Sequence, residues 1–155
     1  EALDLIAQRI GKPNWKFLLE CVEPFQATEE AFRHGLVIAM DAKEGTDLLE
    51  VESDVFVEDP AIILLAVQDK ELRKTYKEIL RVDLEMADEP RKIQDYSVTE
   101  FDREFLGFLD ELLYFRLNPK FTVPEDFNGV IDLVEPHCFW EPSFAWIKGK
   151  FYEHP

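Results

Sequence analysis

Cysteine, serine, histidine, glycine and positive charge are all scarce in this chain of 155 residues, and each shortage excludes a kind of chemistry. The two cysteines, Cys21 and Cys138, lie far apart, so there is no zinc knuckle and no redox CxxC pair. Two buried free thiols are expected, with one disulfide as the alternative if the chain is exported. The three serines are Ser53, Ser97 and Ser143, and none sits in a G-x-S-x-G elbow. His34, His137 and His154 include no i, i+4 pair and no H-E-x-x-H. His137 beside Cys138 offers two ligand types, but sequence neighbours chelate one ion poorly without further ligands. Six glycines form neither G-x-G-x-x-G nor a P-loop, which argues against nucleotide chemistry by those routes. The longest apolar runs, Leu36–Met40 and Ala61–Val67, fall far short of the ~20 residues that span a bilayer.

Positive charge is the most telling shortage. Seventeen Lys and Arg face thirty-three Asp and Glu, a formal net charge of −16. Such a field repels phosphate backbones and anionic lipid, so neither nucleic acid nor membrane is an expected partner. It attracts basic partners. Between residues 41 and 59 the acids are Asp41, Glu44, Asp47, Glu50, Glu52, Asp54, Glu58 and Asp59, and Lys43 is the single base. This band reads either as a solvated face or as a docking surface for a cationic protein. It is not an EF-hand: Lys43 stands where the second oxygen ligand belongs, and Gly45 falls one position early. No metal or cofactor is expected. Thirty-three acids guarantee some carboxylate pair at glycosidase spacing by chance, so that arrangement singles out no residues.

What is abundant is aromatic and apolar. Thirteen Phe, four Tyr and three Trp exclude disorder as the default and supply a core. Leu3, Ile6 and Ile10 predict a short helix closed at Gly11, and Pro13 opens another that ends at Pro24. Thr28 looks like an N-cap, with Gly35 at the following C-terminus. Leu36–Ala42 reads as a buried strand. In Leu48–Val57, Leu49, Val51, Ser53, Val55 and Val57 alternate with Glu50, Glu52, Asp54, Phe56 and Glu58, which predicts an acidic β-hairpin turning at Lys43–Gly45. Asp59–Pro60 reads as an N-cap followed by proline at the first helical position. Residues 70–87 form an amphipathic helix with Leu72, Tyr76, Ile79, Leu80 and Leu84 on one face. Ser97–Glu100 has the capping-box pattern and opens a helix expected to run from Val98 to Leu117. The tail is punctuated by Pro124, Pro136 and Pro142. Asn128–Gly129 reads as a turn, and Val130–Val134 and Ala145–Tyr152 as strands, the latter bending at Gly149. The expectation is one acidic α+β domain over residues 1–155: N-terminal short helices, the hairpin, two longer helices and an aromatic tail with short strands.

Three functions follow from these features. The first is a non-enzymatic acidic binding module that masks or inhibits a basic protein, in the manner of immunity proteins, using Asp41, Glu44, Asp47, Glu50, Glu52, Asp54, Glu58 and Asp59. The second is an accessory interaction domain docking through an aromatic surface of Trp140, Phe144, Trp146 and Tyr152. A carboxylate-dependent hydrolase is a distant third. Residue 1 is Glu, which reads as a trimmed or processed start, and a cytoplasmic location is expected with export left open.

Overall fold

The structure, a computed structural model, describes residues 22–50 and 54–155. Helix α1 (Val22–His34) leads into strand β1 (Leu36–Asp41), followed by the short helix α2 (Thr46–Glu50) and strand β2 (Phe56–Glu58). A 3-10 turn (Pro60–Ile62) runs into α3 (Ile63–Ala66), then α4 (Lys70–Glu85), a second 3-10 turn (Ile93–Asp95) and α5 (Val98–Asp110). Strand β3 (Leu112–Leu117), helix α6 (Phe127–Val134) and the hairpin β4 (Phe144–Ile147) and β5 (Lys150–Glu153) complete it. The five strands form one antiparallel sheet in the order β2-β3-β1-β4-β5.

β1 explains the layering. Its neighbours in sequence point to opposite faces, and both faces are covered, so Leu36 to Met40 are all fully buried. Val37 and Ala39 join a core with Phe32 of α1, Ile63 and Leu64 of α3, Leu72, Tyr76 and Leu80 of α4, and Phe105 and Leu109 of α5. Leu36, Ile38 and Met40 join a second core with Leu48 of α2, Phe127, Val130 and Val134 of α6, and Cys138. Each such side chain contributes roughly 1.5–3 kcal/mol by leaving water. The mixed helix-and-sheet expectation therefore holds.

Several local expectations do not. The acidic hairpin is absent: after β1 the chain turns at Lys43–Gly45 and enters α2, which buries Leu48 and exposes Leu49. Among the described residues the strand that follows is Phe56–Glu58, and it pairs with β3 instead of β1. The helix expected to reach Leu117 stops at Asp110, where the Tyr114 hydroxyl donates to the Leu109 carbonyl at 2.8 Å as the chain reverses into β3. Residues 112–117 are strand because the centre of the sheet accepts an apolar run on both faces.

Val130–Val134 is helical, not extended. Asp126 caps α6 by accepting from the Gly129 N–H at 2.9 Å. Gly129 is glycine for packing, since a Cβ there would lie 2.8 Å from Pro124 Cβ. Thr28 is no cap: it lies inside α1, buried, and its hydroxyl donates to Asp59 Oδ2 at 2.5 Å. Pro24 lies within α1 (Val22–His34). The helix expected over residues 2–10, that expected from Pro13 up to residue 21, and Cys21 lie outside the described residues.

Other readings match. Gly35 closes α1, donating to the Ala31 carbonyl at 3.0 Å, and Asp59–Pro60 opens its 3-10 turn as an N-cap. The Ser97–Glu100 capping box is present in both directions. Gly149 does more than bend a strand: Lys148 (φ 51°) and Gly149 (φ 84°) form the two-residue turn between β4 and β5.

Candidate functional site

The acidic band is continuous in sequence and divided in space. Asp41 ends β1 opposite Leu112, at the start of β3, and its Oδ1 accepts from the Lys43 N–H at 2.8 Å. Its carbonyl accepts from the N–H groups of Glu44 and Gly45, at 3.0 and 2.8 Å, curling the loop back on the sheet. Gly45 is buried there, and a Cβ would lie 3.0 Å from Met40 Cβ and 3.2 Å from Leu113 Cδ1. Only glycine lets the loop approach so closely. Glu44 and the exposed Asp47 follow on this loop and in the first turn of α2.

Asp54 sits past the opposite end of β3, paired with Lys120. Nearby, the Asn118 N–H donates to the Val55 carbonyl at 2.8 Å. The six-residue strand between these ends separates Asp54 from Asp41 by roughly 20 Å. Glu58 is exposed on β2 at the sheet edge. Asp59 is engaged internally, accepting from Thr28, from Arg116 Nε at 3.2 Å and from the Ala61 N–H at 3.2 Å. Glu50 is the last residue of α2, and Glu52 lies outside the described residues.

The aromatic surface divides too. Trp146 and Phe144 are core residues, and Tyr152 is half-buried on β5. Trp140 is 48% exposed, and Phe139 beside it is 84% exposed, the two rings meeting edge to face at 5.1 Å. They occupy the loop between α6 and β4, and they are the exposed aromatics of the tail. Sequence alone does not separate Phe139 from the core rings of the tail, because a proline-bounded loop has no periodicity to mark which rings face outward.

The same structure brings these pieces together. The Cys138 Sγ donates to the Glu44 carbonyl at 3.5 Å, and the Ser143 N–H donates to the Ala39 carbonyl at 2.9 Å. The aromatic loop is thereby held against the Asp41–Asp47 loop. Next to β1, the Ala42 N–H donates to the carbonyl of Glu111, which adds another exposed carboxylate at this end of the sheet. Among the described residues Asp41, Glu44, Asp47 and Glu111 form no ion pair.

A shallow cleft of about 510 Å³ adjoins the exposed rings, bounded by Glu141, Pro142, Ser143, Glu153 and His154. In it His154 Nε2 pairs with Glu141, which raises the imidazole above its ordinary value of 6.5. Burial pushes the Cys138 thiol up as well, with the negative charges of Asp47 and Glu44 adding to the effect. The carboxylates whose titration is displaced all move down: Asp54 through Lys120, Glu78 through Arg81, and Glu100 through the Ser97 N–H. Among the described residues no group of three His, Cys, Asp or Glu side chains is spaced to hold a metal ion, and no helix is long and apolar enough to cross a membrane. Comparison with family models, with curated proteins and with solved structures gave no match to this chain.

Proposed function

We propose that the chain is a non-enzymatic acidic binding module that masks or inhibits a basic protein, and that the contact is made at one end of the sheet. The observation that carries this reading is the adjacency of the Asp41–Asp47 loop to the exposed Phe139–Trp140 pair. Interfaces concentrate their energy in aromatic anchors ringed by polar groups, while surrounding charge sets the association rate. Carboxylates without ion-pair partners complement a cationic cleft, and their field accelerates encounter. Asp41, Glu44, Asp47 and Glu111 supply the charge, and Phe139 and Trp140 the anchor. Asp54 and Glu58 lie outside this contact and contribute only to long-range steering.

The test is capture of partners from source-cell lysate on the wild-type protein, on Asp41→Lys/Glu44→Lys/Asp47→Lys, and on Asp54→Lys. A basic protein retained at low salt, released at moderate salt and lost on the triple variant alone is the expected result. Equal retention on all three baits would overturn the placement, and bare beads the binding reading itself. The accessory-domain reading is favoured by the 84% exposure of Phe139. Its signature is a partner that resists salt, survives the triple charge reversal and is lost on Phe139→Ala/Trp140→Ala.

A further inference from the structure

On a different face, α4 carries Lys70, Lys74 and Lys77 at i, i+4 and i+7, so three cations line one side of a helix. In a chain of net charge −16, none of the three forms an ion pair among the described residues. They border a groove of about 440 Å³ between α4 and the segment that enters α5. Its apolar lining is Ile93, Tyr96, Val98 and Phe101, and Val98 is 76% exposed. Arg73 also borders it, but Arg73 is fixed: it pairs with Asp102 and lies over the rings of Phe101 and Phe105, at 4.9 and 5.4 Å.

Several acids near this groove are already matched, and Asp95, between Ile93 and Tyr96, is one exposed carboxylate against three lysines. Asp102 is taken by Arg73, Glu100 by Arg91 and Glu78 by Arg81. Glu71 lines a neighbouring depression that Lys74 also borders. Acids farther off than a Debye length, about 8 Å at physiological ionic strength, are screened, so the local lysines decide what the groove attracts.

We propose that this groove is a binding site for an acidic peptide segment bearing an apolar anchor side chain. The anchor would pack among Ile93, Tyr96, Val98 and Phe101, while flanking carboxylates meet Lys70, Lys74 and Lys77. Charge complementarity selects this occupant. A nucleic acid is disfavoured because its extended phosphate array would meet the acidic surfaces beyond the groove. The groove is open along the helix and fits an extended chain better than an enclosed small molecule.

The probe is a short fluorescein-labelled peptide alternating Glu with Leu and Phe, titrated by anisotropy, with amide chemical shifts mapping the contact. A Glu-only peptide and dodecanoate are the comparison ligands. The expected result is salt-sensitive binding of the mixed peptide, shifts centred on Val98 and Phe101, and a loss of about tenfold or more on Lys70→Glu/Lys74→Glu/Lys77→Glu. Val98→Ser, a neutral change at an exposed position, should weaken the mixed peptide and leave the Glu-only peptide unchanged. Absence of binding, equal affinity for the Glu-only peptide, or binding of dodecanoate alone would each overturn the proposal. The two tests use different probes and change different residues, so this one and that of the acidic end fail independently.

Discussion

The indole N–H of Trp146 donates to Oδ2 of Asp69 at 2.8 Å, so the carboxylate that caps α4 also anchors that helix to the middle of β4. Its other oxygen accepts from the N–H groups of Glu71 and Leu72, at 2.9 and 3.1 Å. Asp69→Ala removes the cap and leaves a fully buried indole without an acceptor, which should cost about 2–4 kcal/mol in chemical denaturation. Asp69→Asn keeps an acceptor oxygen and should cost less. Equal losses for the two would mean that the helix cap contributes nothing beyond the Trp146 bond, since the asparagine amide nitrogen cannot accept from the indole.

The β4–β5 turn gives a second expectation. Gly149 has φ 84°, and a Cβ there would approach the Arg33 carbonyl oxygen to 3.3 Å. Gly149→Ala should therefore destabilise by about 1 kcal/mol, whereas Lys148→Asn, at φ 51°, should be neutral or mildly stabilising. Thermal melts of the two variants distinguish this pattern from generic sensitivity of the hairpin.

Histidine titration tests the cleft beside the exposed aromatics. Because Glu141 raises His154 above 6.5, the stabilisation from their pairing is complete below that unfolded value and disappears as pH climbs through the elevated folded one. In nuclear magnetic resonance titrations, Glu141→Gln should bring the His154 midpoint down. An unchanged midpoint would remove the ion pair from this account.

Cys138 is buried and its thiol is held above its usual range, so alkylation under native conditions should be slow and should accelerate on unfolding. Peptide mapping by mass spectrometry assigns the modified cysteine. Rapid native modification at Cys138 would show that the loop carrying Phe139 and Trp140 opens readily, against its tether to Glu44.

Sequence patterns were legible where local chemistry and tertiary context agree. The Asp59–Pro60 and Ser97–Glu100 signals mark real helix starts because a cap is satisfied within a few residues. The Leu36–Met40 run is buried whichever way its side chains point. Where two structures satisfy one pattern, the reading failed. Leu112–Leu117 continues the apolar spacing of α5 but pairs with β1, and a two-faced core makes strand and helix equally apolar. The alternation from Leu49 to Val57 resembled a strand, yet its first part is the end of a short helix whose start depends on Gly45 packing against Met40. For the candidate site, the acids were visible and their grouping was not. The strand separating Asp41 from Asp54 is β3, far along the chain. In sequence Lys70, Lys74 and Lys77 are a helix's polar face, and it is the fold that sets Tyr96 and Val98 beside them.

The position of β1 has a consequence for synthesis. Leu36 is paired with Ile147, and Ala39 with Phe144, so this strand keeps one open edge until nearly all of the remaining described chain has been made. Pairing across so long a stretch of sequence slows folding, because loop closure precedes the contacts that compensate for it. A nascent chain displaying LVIAM along an unpaired edge is a substrate for chaperones and for aggregation. Ribosome-bound chains halted before Phe144 should accordingly be protease-sensitive and bind a trigger-type holdase, and chains extended past Glu153 should not.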